Sequence, residues 1–115
     1  MINSKLHGII DYLVVIFLWA SPTLFGLPET AALFTYILGG IHLALTIFTA
    51  NETGLIKVIP FSLHGWIEFV VSLALVGVAF YLNSIEGELA RNFYLGFAAA
   101  VFVTWLLTRY SPKTA

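Results

Sequence analysis

The chain has 115 residues, of which 60% are apolar and 10% charged, with a mean hydropathy of +0.97 and a formal net charge of −1. That balance is not the composition of a soluble globular domain, and its scattered Lys and Arg form no basic stripe for nucleic acid. Cysteine is absent, which excludes disulfides, thiolate metal sites and cysteine nucleophiles.

Four apolar runs follow one another: Leu6 to Leu27, Ala31 to Ala50, Val58 to Leu82, and Arg91 to Leu107. Each reaches or approaches the ~20 residues that a helix needs to cross ~30 Å of hydrocarbon. The first contains "HGIIDY" from His7 and, near its far end, Ser21-Pro22, where proline removes a backbone hydrogen bond and bends the helix. A cleaved leader is not expected here, because Asp11 interrupts the run and Pro22 follows the small pair Ala20-Ser21. Gly26-Leu27-Pro28-Glu29 makes the first turn. The second run sets Thr35, Gly39, His42, Thr46 and Thr49 at helical spacings of three and four, a small and polar stripe that belongs against neighbouring helices. Asn51-Glu52-Thr53-Gly54 closes it, and Pro60 suits the first turn of the third helix, which carries "HGWIEF" from His64. Asn83 to Glu88 reads as the third loop, with Asn83 or Ser84 capping the fourth helix and Glu86, Glu88 and Arg91 solvated at its start.

Loops this short make neighbouring helices antiparallel. The expected fold is therefore all-α: a polytopic membrane protein with four transmembrane helices in an up-down bundle, one domain over residues 1–115 built of hairpins 6–50 and 58–110. Lys5, Lys57, Arg109 and Lys113 share one side, whereas Glu29, Glu86, Glu88 and Arg91 lie on the other. The excess of cations places both termini in the cytoplasm and the protein in the inner membrane. Trp66 and Tyr110 are expected near that interface, and Tyr81 and Tyr94 near the outer one. The lipid bilayer is the expected partner, with a homo-oligomer or a larger membrane complex around so short a chain.

His7 and His64 stand 57 residues apart, and the same offset pairs Asp11 with Glu68, Tyr12 with Phe69, Tyr36 with Phe93, and Gly39 with Gly96. This reads as a duplicated helical hairpin with a pseudo-twofold along the membrane normal. On that symmetry His42 maps onto Ala99 and Thr46 onto Val103, so one side of the bundle departs from the pattern and offers a ligand entry.

A spacing of four stacks each histidine over its carboxylate on one helix face. Carboxylates are costly in hydrocarbon, by ~2.5–3.5 kcal/mol at the membrane centre on insertion scales, so these faces must turn inward. His7, Asp11, His42, His64 and Glu68 thus form a candidate buried site. Imidazole with carboxylate suits a divalent metal such as Zn, Fe or Mn, and His7, His64 and His42 are the residues that would bind a haem. Proton relay, with small proton-linked transport, is a third reading. The plainest reading is that each histidine only satisfies its carboxylate and pins helix packing, as in an accessory subunit of a membrane complex. No residue set for soluble-style catalysis is present: there is no phosphate loop, serine elbow or zinc-protease helix.

The stretch "FLWASPTLFGL" resembles the SPW-repeat family of small membrane proteins, through Trp19, Ser21, Pro22 and Gly26, followed by Gly39-Gly40 in the second helix. Thr23 stands where the family has tryptophan after Ser-Pro, and Val78-Ala79 stand where the second copy would have Ser-Pro. The resemblance implies two repeats of two transmembrane helices and brings no activity with it.

Overall fold

The computed structural model describes residues 2–52 and 54–108. Its architecture is all-helical apart from short extended pairings, with α1 (Ser4–Leu24), α2 (Glu29–Phe48), α3 (Phe61–Glu86) and α4 (Glu88–Leu107). All four are long and apolar enough to cross a membrane. Arg109, Tyr110 and Lys113, which entered the reading of orientation and interface, lie outside the described residues.

Helix ends follow from local chemistry. Asn3 caps α1 by accepting from the Leu6 amide at 2.8 Å. At the other end Gly26 takes φ +61°, a left-handed conformation that glycine adopts without a Cβ clash, and the Leu27 amide returns to the Pro22 carbonyl at 3.1 Å. Ser21 precedes the proline and donates its hydroxyl to the Phe17 carbonyl at 2.6 Å, so no bare hydroxyl is left among apolar neighbours.

The third loop is shorter than the sequence suggests. Helix α3 continues through Asn83 and Ser84 to Glu86, and Gly87 alone, at φ +97°, makes the turn into α4. Ser84 therefore does not cap α4; its hydroxyl bonds back to the Tyr81 carbonyl at 2.5 Å. Glu86 is not part of a solvated α4 start either. Its two carboxylate oxygens accept from the Thr30 and Ala31 amides of α2, at 2.7 and 2.8 Å, supplying the acceptors that a helix start lacks. Arg91 turns to its neighbour Asn92 rather than to the glutamates, at 3.2 and 3.1 Å.

Helix α1 packs mainly on α2, and α3 on α4. In the first pair Trp19 lies over Gly39: a Cβ at Gly39 would stand 2.5 Å from the indole nitrogen, which donates to the Tyr36 carbonyl at 3.1 Å. Aromatic rings fill the second pair, with Phe69 and Trp105 centroids 4.8 Å apart and Phe102 beside them. Leu18, Ala31, Leu75, Ala79, Leu82 and Ala90 form the shared apolar core. Tyr94 belongs to that core rather than to an outer aromatic belt: it is buried, with its hydroxyl 2.7 Å from that of Thr35. A phenol this deep needs a polar partner, and the α2 stripe supplies it.

Outside this core the surface is greasy. Leu13, Ile16, Leu24, Ile41, Val70 and Trp66 are all more than half exposed, while His7, Asp11, His64 and Glu68 are buried.

Candidate metal centre

Helices α2 and α4 end in the same way. Each runs into a threonine in extended conformation, Thr49 and Thr108, whose backbone amide reaches only three residues back, to the carbonyls of Thr46 and Trp105. The carbonyl four residues back thereby loses its usual amide donor. The threonine hydroxyl replaces it, donating to the Leu45 carbonyl from Thr49 and to the Thr104 carbonyl from Thr108, both at 2.5 Å. Each end is also stitched to the segment leading into another helix. Thr49 and Ala50 pair in parallel with Ile59 and Pro60 ahead of α3, and Ile2 ahead of α1 bridges Thr108.

This stitching sets the histidines. Thr49 Oγ1 lies 2.7 Å from His64 Nδ1, and Thr108 Oγ1 lies 2.8 Å from His7 Nδ1. Each hydroxyl proton is already committed to a helix carbonyl, so the oxygen accepts and Nδ1 carries the hydrogen. In a neutral ring the lone pair is then on Nε2, and both Nε2 atoms point at carboxylates.

Asp11 and Glu68 each span both imidazoles. Asp11 Oδ1 is 3.2 Å from His7 Nε2 and Oδ2 is 3.3 Å from His64 Nε2. Glu68 Oε2 is 3.0 Å from His7 Nε2 and Oε1 is 3.6 Å from His64 Nε2. One ligand atom from each of the four residues falls within 4.8 Å of all the others, and all four residues are buried. Asp11 Oδ2 and His64 Nε2 make no aligned hydrogen bond in spite of these short separations. Two imidazoles and two carboxylates whose ligand atoms meet at one buried point could hold a metal ion, and ring N–H groups held from behind by hydroxyls are the outer layer that such a site uses.

His42 joins at the edge. Its Nε2 lies 3.4 Å from Asp11 Oδ1 and also lacks an aligned partner, but it stands outside the four-residue group. The rest of its stripe is buried as expected: Thr35, Gly39, Thr46 and Thr49 all face inward. Phe61 closes the histidine side, its ring centroid 5.4 Å from that of His7 and 5.8 Å from that of His64.

All five residues singled out from the sequence thus meet in one place. The two threonines behind the histidines were not anticipated as their partners. Thr49 was visible as the last member of the α2 stripe, but Thr108 is 101 residues from His7 and no spacing rule links them. Comparison with protein-family models, with curated proteins and with solved structures gave no match.

Proposed function

We propose that this chain is an integral membrane protein that holds one divalent first-row transition ion between His7, Asp11, His64 and Glu68. The observation that carries this reading is the convergence of two threonine-backed Nε2 atoms and two carboxylates at one buried point. Their N to O separations run from 3.0 to 3.6 Å. Bonds of 2.0–2.2 Å to a tetrahedral ion put its ligands about 3.3–3.6 Å apart, so the four ligand atoms, which lie within 4.8 Å of one another, need to draw together by roughly an ångström at the widest pair. A divalent ion cancels the charge of two carboxylates, which favours the site in a low-dielectric interior. Two imidazoles favour Zn, Fe, Mn or Co over Mg or Ca. The haem alternative has little room: the histidine ring centroids are 5.4 Å apart, and the cavity touching Asp11, His42 and Glu68 measures about 40 Å³.

Membrane insertion is supported by the four apolar helices and by the inversion of polar groups inside and apolar groups outside. We place the protein in the inner membrane as an up-down bundle with both termini cytoplasmic, following the cations, so the centre lies toward the cytoplasmic side. We also read the two hairpins as copies. The leading helices match at an offset of 57 residues and the following helices at 59: α1 and α3 start at Ser4 and Phe61, α2 and α4 at Glu29 and Glu88, and the caps are Thr49 and Thr108. The SPW-repeat resemblance fits this reading, since Trp19 and Gly39 are in contact.

Elemental analysis of detergent-purified protein after equilibration with Zn²⁺, Fe²⁺, Mn²⁺ or Co²⁺ tests the proposal. One ion per chain is expected, lost in the His7→Ala/His64→Ala variant while helical circular dichroism persists. Wild type that stays metal-free under all four ions would overturn it and leave the cluster as a packing device of an accessory subunit.

A further inference from the structure

The proposed centre is unequally enclosed, and the inequality bears on what it does; the inference rests on the metal reading above. On the histidine side stand Phe61 and the two threonine caps. On the carboxylate side a cavity of about 40 Å³ touches both Asp11 and Glu68, and is lined by His42 from α2 and by Phe97, Val101 and Thr104 from α4 among others. A water needs about 10–15 Å³ of such space, so the cavity takes about three waters or a molecule of two or three heavy atoms.

Counting back from the threonine caps explains its position. His42 is seven residues before Thr49, and Val101 is seven before Thr108. At equivalent places the two hairpins therefore offer an imidazole and an isopropyl group, and both line this cavity. The valine side chain is smaller than a second imidazole and occupies less of this space. His42 Nε2 is buried, without an aligned hydrogen-bond partner, and borders the same cavity. Beside the two carboxylates and Thr104, it is a polar group that an incoming molecule would meet.

We propose that the centre is open on this side: the ion keeps an exchangeable position toward the cavity, where water is replaced by a small exogenous ligand of two or three heavy atoms hydrogen-bonded to His42. The four protein groups already satisfy a tetrahedral ion, so the exogenous molecule enters as a fifth ligand, an expansion that such ions accept in sites that transform a substrate. The same cavity walls set the size limit, through Phe97 and Val101.

Full-length protein loaded with Co²⁺ and titrated with azide provides the test, read in the visible ligand-field bands, with imidazole as the oversized control. Azide should change the bands saturably and imidazole should not. Val101→Phe should keep its Co²⁺ and lose the azide response, and the milder Val101→Ile should weaken it if the larger substitution disturbs folding. His42→Ala should keep the ion and bind azide about tenfold more weakly, the worth of one hydrogen bond. Stoichiometric Co²⁺ whose spectrum azide leaves unchanged would overturn the open position while leaving the metal reading intact. Failure to take up Co²⁺, with Zn²⁺, Fe²⁺ and Mn²⁺ refused as well, would overturn both, and equal responses to azide in wild type and Val101→Phe would overturn the open position by assigning azide to another place.

Discussion

The two hairpins supply the centre in equal parts and differ in almost everything else. Each leading helix gives a histidine and, one turn later, a carboxylate, and each following helix ends on a threonine that backs the other hairpin's histidine. Beyond these residues they diverge. Trp19 sits over Gly39 in the first, while a ring cluster around Phe69 and Trp105 fills the second. Pro22 lies in the last turn of α1, whereas Val78-Ala79 lie in the interior of α3. His42 on α2 is answered by Val101 on α4. What the halves share is the set of groups that converge at one point, and what they do not share lies in packing or at the cavity. Packing can be achieved in many ways, but a set of converging donors cannot.

The sharpest way to break the equality is at the carboxylates. Asp11 approaches three imidazoles and Glu68 two, so Asp11→Asn should be the more damaging change. Breaking a buried ionic network typically costs about 3–5 kcal/mol. We expect Asp11→Asn to abolish stoichiometric metal and lower the denaturant midpoint, with Glu68→Gln less severe on both counts. Equilibrium dialysis and unfolding in detergent check this, and the reverse order would argue against Asp11 as the central bridge.

The threonines test the equality itself. Loss of a group that orients a metal-bound histidine costs ~10–100-fold in affinity. Thr49→Val and Thr108→Val should each weaken metal binding by that factor and to similar extents, and serine at either position should restore it. A large effect at one threonine and none at the other would show that the two hairpins do not serve the centre alike.

Packing should show the opposite asymmetry. Gly39→Ala drives a methyl into the Trp19 indole and should destabilise by about 1–3 kcal/mol, as overpacking does. Ala98, the residue ten before Thr108 as Gly39 is ten before Thr49, already has its methyl, so Ala98→Gly should cost only about 1 kcal/mol from helix propensity. Neither change should alter metal affinity, which separates hairpin packing from the centre.

The smallest effect lies in the connection between α2 and α3. Ser4 donates to Glu52 Oε1 at 2.6 Å, and this hydrogen bond holds the exposed Glu52 carboxyl below its ordinary range. A carboxyl lowered in the folded protein stabilises it above the unfolded pKa, and the contribution fades as pH falls through the folded value. Ser4→Ala should move the Glu52 titration upward in a carbon-13 NMR pH series, with no change at the candidate centre.

The sequence alone determined the helices, the five candidate ligands and their inward faces. A 20-residue apolar run has few alternatives to a helix, and a carboxylate four residues after a histidine has to share its face. Near the turns it was less informative. Asn83 and Ser84 look like caps, but a single glycine with positive φ lets α3 run on, and Glu86 serves the start of α2 instead. The pairing of the following helices by the 57-residue offset was also two residues out of step with the caps at Thr49 and Thr108.

Tertiary structure decided which groups meet. Only the folded chain brings Thr108 to His7 and Thr49 to His64, because those partners come together through parallel pairing of remote segments, and remote pairing leaves no periodic signal. It also decided that the four ligand atoms converge, and that a cavity bordered by His42 and Val101 lies beside them. Local spacing fixes the face on which a side chain lies. The distance between two such faces is set by how the helices pack, and on that distance the chemistry of the centre depends.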